Sequence, residues 1–223
     1  ETKVAGALTR LLQDVFVCSS SDVAPQIREY PRASTTTVNA YAMPISLPYL
    51  RRLTTRLDQE GIGQTPLIML SSGGVVGAET AGRNPVRMIE SGPAAGALAA
   101  CHYAEILGID RLMSFDMGGT TAKACLIENR TPLVTGLFEV DRRYRFKEGS
   151  GIPVTVPSID LIEIGAGGGS IARIDDLGLL KVGPDSAGSD PGPACYGRGG
   201  QGATVTDADL MLGLIDADNF LGG

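Results

Sequence analysis

The chain opens on an amphipathic pattern. Val4, Leu8, Leu11, Leu12 and Val15 recur at three- and four-residue spacing, as one face of a helix does. The short apolar run Val15-Phe16-Val17-Cys18 predicts a strand, stopped by a Ser-Ser-Ser-Asp turn. No period holds between residues 22 and 46, where Pro25, Pro31, Pro44 and the run Ser34-Thr35-Thr36-Thr37 predict a long connection. Leu47, Leu50, Leu53 and Leu57 then mark one helical face, and Gly61-Ile62-Gly63 ends it.

Further along, Leu67-Ile68-Met69-Leu70 is a fully apolar strand candidate, halted by Ser71-Ser72-Gly73-Gly74. Ser91 or Gly92 suits the cap of an alanine-rich helix with Pro93 in its first turn, and Gly108 closes that helix after Leu107. Leu112-Met113-Ser114-Phe115 and Ala124-Cys125-Leu126-Ile127 flank Asp116-Met117-Gly118-Gly119-Thr120-Thr121 as the arms of a hairpin. Residues 133–164 read as further strands, among them Ile159–Ile164. Period-two alternation at Ser170–Ile174 and Leu179–Val182 adds two more. A loop covers 183–202, and Thr206 or Asp207 suits the cap of a last helix running to Leu214. Strands interleaved with helices, plus hairpins, predict a mixed α/β fold, helix-rich over 1–110 and glycine-rich and β over 111–223. No internal repeat of fixed period is visible.

Hydrophobic residues at 43% against 20% charged describe a folded chain, and 223 residues suffice for one large domain or two small ones. The net charge of −6 argues against nucleic acid or an anionic membrane as the main partner. Arg142, Arg143, Arg145 and Lys147 are interrupted by Glu139, Asp141 and Glu148, a pattern that suits a solvated strand face better than a binding patch. Cys18, Cys101, Cys125 and Cys195 are far apart, which favours reduced thiols in a cytoplasmic protein over a disulfide framework or zinc site. No run approaches the ~18 apolar residues of a membrane span. The chain starts at Glu1 on a helix pattern and stops at Phe220-Leu221-Gly222-Gly223, so both ends read as boundaries inside a larger polypeptide.

The 30 glycines cluster rather than scatter. In Asp116-Met-Gly-Gly-Thr-Thr, a strand delivers a carboxylate, paired glycines let backbone N–H groups turn inward, and Thr hydroxyls add donors. That arrangement suits a phosphate cradle with Asp116 beside a magnesium-bound water, and equally suits a plain Gly-Gly turn with a solvated Asp. Gly165-Ala166-Gly167-Gly168-Gly169-Ser170 nearly matches the dinucleotide fingerprint, but Ser170 holds the last glycine position and a strand pattern follows where a helix is required. Close backbone approach to a ligand explains this run better than a flexible turn. The GxxxxGK[ST] loop is absent. Ser71-Ser72-Gly73-Gly74 is an anion site or a plain turn with equal claim. His102, the only histidine, reads as a packed or surface residue, and Cys195 lacks a nearby histidine to activate it.

Taken together the segments resemble the hydantoinase A / 5-oxoprolinase / acetone carboxylase β-subunit family. The resemblance rests on Arg28–Arg32 with Ser34–Tyr41, Ser72-Gly73-Gly74, Ser91–Gly96, Asp116–Thr120, Ile164–Ala172, Val182–Gly188, Asp190–Gly197 and Thr206-Asp207-Ala208. It implies an actin-like ATPase fold of the ribonuclease-H-like type: a mixed sheet with flanking helices and β-hairpins, similar to sugar kinases and heat-shock chaperones. In such proteins two halves close over ATP, each giving one Asp-x-Gly-Gly-Thr hairpin; only the second hairpin is present here. The implied activity is ATP-dependent ring opening of a cyclic amide, or a related carboxylation. ATP and Mg2+ are the implied cofactors, and a hydantoinase B-type subunit or domain the implied partner beside a small-molecule substrate. Asp116 carries the implied catalytic role. Asp116, Gly118, Gly119, Thr120, Thr121, Gly165, Gly167, Gly168, Gly169 and Ser170 carry the implied nucleotide contacts.

Where many members continue the hairpin as Gly-Gly-Thr-Ser-Thr-Asp, this chain has Thr121-Ala122-Lys123. Where many have a histidine before the glycine run, it has Ile162 and then Glu163. These departures keep open a subunit that binds nucleotide, or serves assembly, without its own chemistry. If the strands bearing Lys123 and Glu163 are neighbours, an ion pair between them would fill space that relatives give to a carboxylate and a histidine; two unrelated solvent-facing side chains are the alternative.

Overall fold

The computed structural model describes residues 1–144 and 149–220. The chain divides into two compact units: Glu1–Asp110 with Ile127–Asp160, and Arg111–Leu126 with Leu161–Gly223.

The first unit begins with α1 (Thr2–Leu11), whose apolar face buries nothing among the described residues. Residues 15–19 then run without regular structure into the single turn of α2 (Ser20–Val23). The strand expected at 15–18 is absent. The long connection expected over 22–46 is likewise overturned, because α3 runs unbroken from Glu29 to Gln59. Its buried positions are Thr35, Asn39, Met43, Leu47 and Leu50, a stripe spaced i, i+4 that ends on an i, i+3 step and whose first two members are polar.

Each of those polar side chains has a partner. Thr35 donates to the Pro31 carbonyl at 2.7 Å and accepts from the Thr155 N–H at 2.9 Å. Ser34 donates to the Pro153 carbonyl at 2.7 Å. Asn39 accepts from the Val86 N–H and donates to the Arg83 carbonyl. Tertiary contacts thus hold a helix that local propensity disfavours. Pro31 falls in its first turn, and Pro44 and Pro48 each remove one internal hydrogen bond.

β1 (Leu67–Met69) and β2 (Val75–Gly77) form an antiparallel hairpin around Ser71–Gly74. Gly73 donates to the Leu70 carbonyl, Leu70 donates to that of Gly74, and Ser71 Oγ lies 2.6 Å and 2.7 Å from the carbonyls of Arg87 and Ile89. The segment is a tied turn. α4 (Ala78–Arg83), a 3-10 turn over Pro85–Met88, and α5 (Ser91–Leu107) follow. Pro93 sits in the first turn of α5, and Gly108 closes it at φ +67°. His102 is exposed on α5, as expected.

β3 (Arg111–Met117) and β4 (Ala122–Glu128) are the predicted hairpin. The last residues of β4, Ile127 and Glu128, pair with β5 (Thr131–Pro132) in the first unit. That unit then adds β6 (Val134–Thr135), β7 (Phe138–Val140), β8 (Ile152–Val154) and β9 (Ser158–Ile159), paired antiparallel as β6–β9 and β7–β8. Val23, Val86, Val154 and Val156 form one core cluster, and Leu50, Ala78 and Ala81 another. Of the interrupted basic run, Arg142 pairs with Glu139 at 3.2 Å, whereas Arg145, Lys147 and Glu148 lie outside the described residues.

The second unit pairs β10 (Ile162–Ile164) with β4, and β11 (Ser170–Ile174) with β12 (Leu180–Ser186). The strand expected over Ile159–Ile164 is therefore two strands in two units. After a 3-10 turn at Ala194–Tyr196 comes α6 (Val205–Met211). Its cap is Thr204, not Thr206 or Asp207. Asp207 is the third residue of a capping box in which the Thr204 N–H donates to its carboxylate at 2.8 Å.

Candidate functional site: the hairpin and the glycine run

The second unit brings the two glycine motifs into direct contact. Gly168 N–H donates to the Gly118 carbonyl at 2.9 Å, and Gly169 N–H to the Gly119 carbonyl at 2.7 Å. On the other side of the run, the Gly168 carbonyl accepts from both the N–H and the hydroxyl of Thr206 at 2.8 Å. Ala187 N–H donates to the Gly169 carbonyl at 2.8 Å. The run is held between the hairpin turn and the start of α6.

This packing accounts for glycine in the run. A Cβ on Gly167 would lie 2.6 Å from the Gly118 carbonyl oxygen and 2.7 Å from backbone atoms of Thr120. Ser170 is fully buried, and its hydroxyl accepts from Gly167 N–H at 2.8 Å. Gly167, Gly169 and Ser170 are buried and serve the loop–loop contact. Gly165 and Gly168 are half-buried beside them. The backbone approach predicted for a ligand is thus met, at Gly167, by the protein's own backbone.

The hairpin turn faces outward. Asp116, Gly118, Gly119 and Thr120 are exposed and Thr121 is half-buried. Gly118 N–H donates to the Thr121 carbonyl at 2.9 Å and closes the turn. Among the described residues, the N–H groups of Gly119 and Thr120 have no hydrogen-bond acceptor. A Cβ on Gly119 would meet open space. Two successive outward N–H donors, two hydroxyls and an adjacent carboxylate suit a phosphate group better than a bare cation. No group of three or more His, Cys, Asp or Glu able to hold a metal occurs among the described residues. One carboxylate completed by substrate phosphates is an ordinary donor set for Mg2+.

Lys123 and Glu163 are direct cross-strand partners, and their charged atoms lie 3.8 Å apart. The strands are neighbours, so the two side chains do meet.

Reading the sequence for ligand contacts missed the part played by Thr204, Thr206 and Asp207, although Thr204-Val-Thr-Asp207 carries a capping-box spacing. Asp207 also accepts from the Cys195 N–H at 2.7 Å. Burial works against its charge, but the Cys195 and Thr204 donors outweigh that and lower its pKa to about 2. Burial, together with the neighbouring Asp207 carboxylate, pushes the Cys195 thiol up. A protonated thiol is a poor nucleophile, in keeping with the sequence.

A family model for hydantoinase/oxoprolinase matches residues 32–223. The chain is 42% identical to the caprolactamase subunit alpha of Pseudomonas jessenii, a match covering 100% of this chain and 31% of that protein. It is 32% identical to the 5-oxoprolinase of Saccharomyces cerevisiae, over 98% of this chain and 16% of that one. The crystal structure of the ATP-dependent caprolactamase from Pseudomonas jessenii superposes with a TM-score of 0.70 at 40% identity, covering 97% of this chain and 30% of that one. Nucleotide-free acetone carboxylase does so at 0.75 and 26%, covering 99% and 30%. The chain spans about a third of the caprolactamase subunit and about a sixth of the oxoprolinase. Its mixed α/β architecture is that of ATP-dependent hydantoinase-family enzymes and is consistent with the actin-like ATPase fold.

Proposed function

The chain belongs to the hydantoinase/oxoprolinase family, and on that premise we propose that it supplies one phosphate-binding hairpin of an ATP-dependent enzyme that opens a cyclic amide or carboxylates a small carbonyl compound. The observation that supports this most is the outward turn Gly118–Thr121, braced from behind by the glycine run, with the Gly119 and Thr120 N–H groups unspent. In this reading those two N–H groups and the Thr120 and Thr121 hydroxyls bind phosphate oxygens. Asp116 orients a water of the magnesium shell. Gly165, Gly167, Gly168, Gly169 and Ser170 keep the turn in place from behind.

ATP would supply its γ-phosphoryl group to the amide oxygen with release of ADP, making the carbon a better electrophile for water, after which the ring C–N bond opens and phosphate departs. The residues named here contribute by positioning and charge neutralisation, which dominate phosphoryl transfer. Substrate contacts and a hydantoinase B-type partner belong to the complete protein. The cytoplasm, where free thiols and ATP coexist, is its proposed location.

The reduced-activity alternative, a nucleotide-binding subunit without turnover, draws its support from Lys123, which stands where many relatives have a carboxylate. Steady-state ATP hydrolysis by the full-length protein with its partner subunit separates the two. Turnover that falls at least a hundredfold in Asp116→Asn, with Mg·ATP still bound, supports the enzyme. Absence of turnover in the unaltered protein with every cyclic amide and ketone tried supports the alternative.

A further inference from the structure

The turn fixes a register that the Lys123–Glu163 pair extends. β3 and β4 each contain seven residues and mirror one another about the turn closed by Gly118 and Thr121. In an antiparallel hairpin, matching ends set Met117 opposite Ala122 and Asp116 opposite Lys123. On the other edge of β4, Glu163 stands directly opposite Lys123. Cross-strand partners share a face of the sheet. Asp116, Lys123 and Glu163 therefore form a row across β3, β4 and β10, carboxylate–ammonium–carboxylate, and the Asp116 end is the one beside the phosphate-binding turn.

The row is unevenly exposed. The Lys123 side chain is 14% exposed and that of Glu163 56%. A covered aliphatic stem limits the travel of the ammonium group, whereas an exposed lysine would sample many rotamers.

We propose that Lys123 sets the charge of the face on which nucleotide phosphates approach. With the lysine, the row carries a net −1; without it, −2. Two uncompensated carboxylates beside the turn would repel a polyphosphate and attract a free divalent cation in its place. The inference rests on the phosphate-binding reading of the turn.

The test uses the full-length protein, with Mg·ADP binding measured by titration calorimetry at low salt and at about 0.5 M KCl, where exposed charges are strongly screened. Lys123→Met is expected to raise Kd about tenfold at low salt, the scale of one unit charge a few ångström from a bound phosphate at intermediate dielectric. The difference should shrink toward threefold or less at high salt. Lys123→Arg should restore binding to within about threefold, and Glu163→Gln should leave it unchanged or slightly tighter. A Lys123→Met protein that binds like the unaltered one overturns the inference. So does a loss that is equal at both salt concentrations and not rescued by arginine, since that marks a packing role. Gly119→Ala separates the two levels: if it leaves binding intact, the turn itself is not the phosphate site, and the role of Lys123 falls with it.

Discussion

Gly167→Ala tests the contact on which the whole site stands. The added Cβ would sit 2.6–2.7 Å from the Gly118 carbonyl oxygen and from the backbone of Thr120, about 1 Å short of ordinary van der Waals contact. All three opposing atoms belong to main chain, so no side chain can swing aside. Either the loops part or the strain stays. Overpacking of this kind costs roughly 1–3 kcal/mol. If the loops part, the Gly168–Gly118 and Gly169–Gly119 hydrogen bonds go too, at about 0.5–1.5 kcal/mol each. The expected loss, with both contributions, is about 2–6 kcal/mol, which lowers a urea midpoint by roughly 1–3 M. Gly119→Ala is the internal control: its Cβ meets nothing within 4 Å, so stability should stay within about 0.5 kcal/mol while phosphate binding falls at least tenfold. Urea unfolding by circular dichroism and calorimetry with Mg·ADP, on the same full-length variants, give both numbers. An unchanged midpoint for Gly167→Ala would refute the loop–loop packing.

Asn39→Ala should cost about 1–3 kcal/mol, because it strands the buried Val86 N–H and removes the part-buried bond to the Arg83 carbonyl; the urea midpoint checks it. Cys195 is exposed, yet burial of its thiol and the adjacent Asp207 push its pKa up. Iodoacetamide at neutral pH should therefore modify it no faster than a free cysteine, and faster in Asp207→Asn. Asp207 has a folded pKa of about 2 against an ordinary 3.8. Its contribution is therefore complete above about pH 4 and is lost as the pH falls toward 2. After discounting for solvent screening it is on the order of 1–2 kcal/mol, and it should be missing from the acid-unfolding curve of Asp207→Asn.

The sequence was legible where one periodicity or one turn rule decided the outcome. α5 runs between Ser91 and Leu107 as its proline and glycine signals require, and the β3–β4 hairpin and the β11–β12 pair follow alternation. It was opaque where a long-range partner overrode local preference. Thr35 and Asn39 lie on the buried stripe of α3, but a stripe is sought among apolar residues, so the helix was hidden. Nothing in Ser34–Thr37 announces that these hydroxyls dock on residues 153–155, more than a hundred positions away. Ile159 and Ile162 look like one strand. Yet Ile159 N–H bonds to the Ser71 carbonyl and Asp160 N–H to that of Leu133, which ties them to the first unit while Ile162 pairs with Ala124 in the second.

The glycine run shows why the dinucleotide fingerprint had to be rejected on physical grounds rather than by counting glycines. A fingerprint works because its last glycines open a helix, whose N-terminal N–H groups and dipole then face a pyrophosphate. Here Ser170 opens β11 instead, and its hydroxyl accepts from Gly167 N–H. The N–H groups of Gly168 and Gly169 are spent on the Gly118 and Gly119 carbonyls. Those N–H groups, like that of Gly167, are spent inside the protein and not offered to an anion. By drawing those two carbonyls back toward itself, the run leaves the next N–H groups of the hairpin, Gly119 and Thr120, facing outward. In the proposed reading, phosphate contact therefore falls to the neighbouring turn, on which the run acts through two backbone hydrogen bonds.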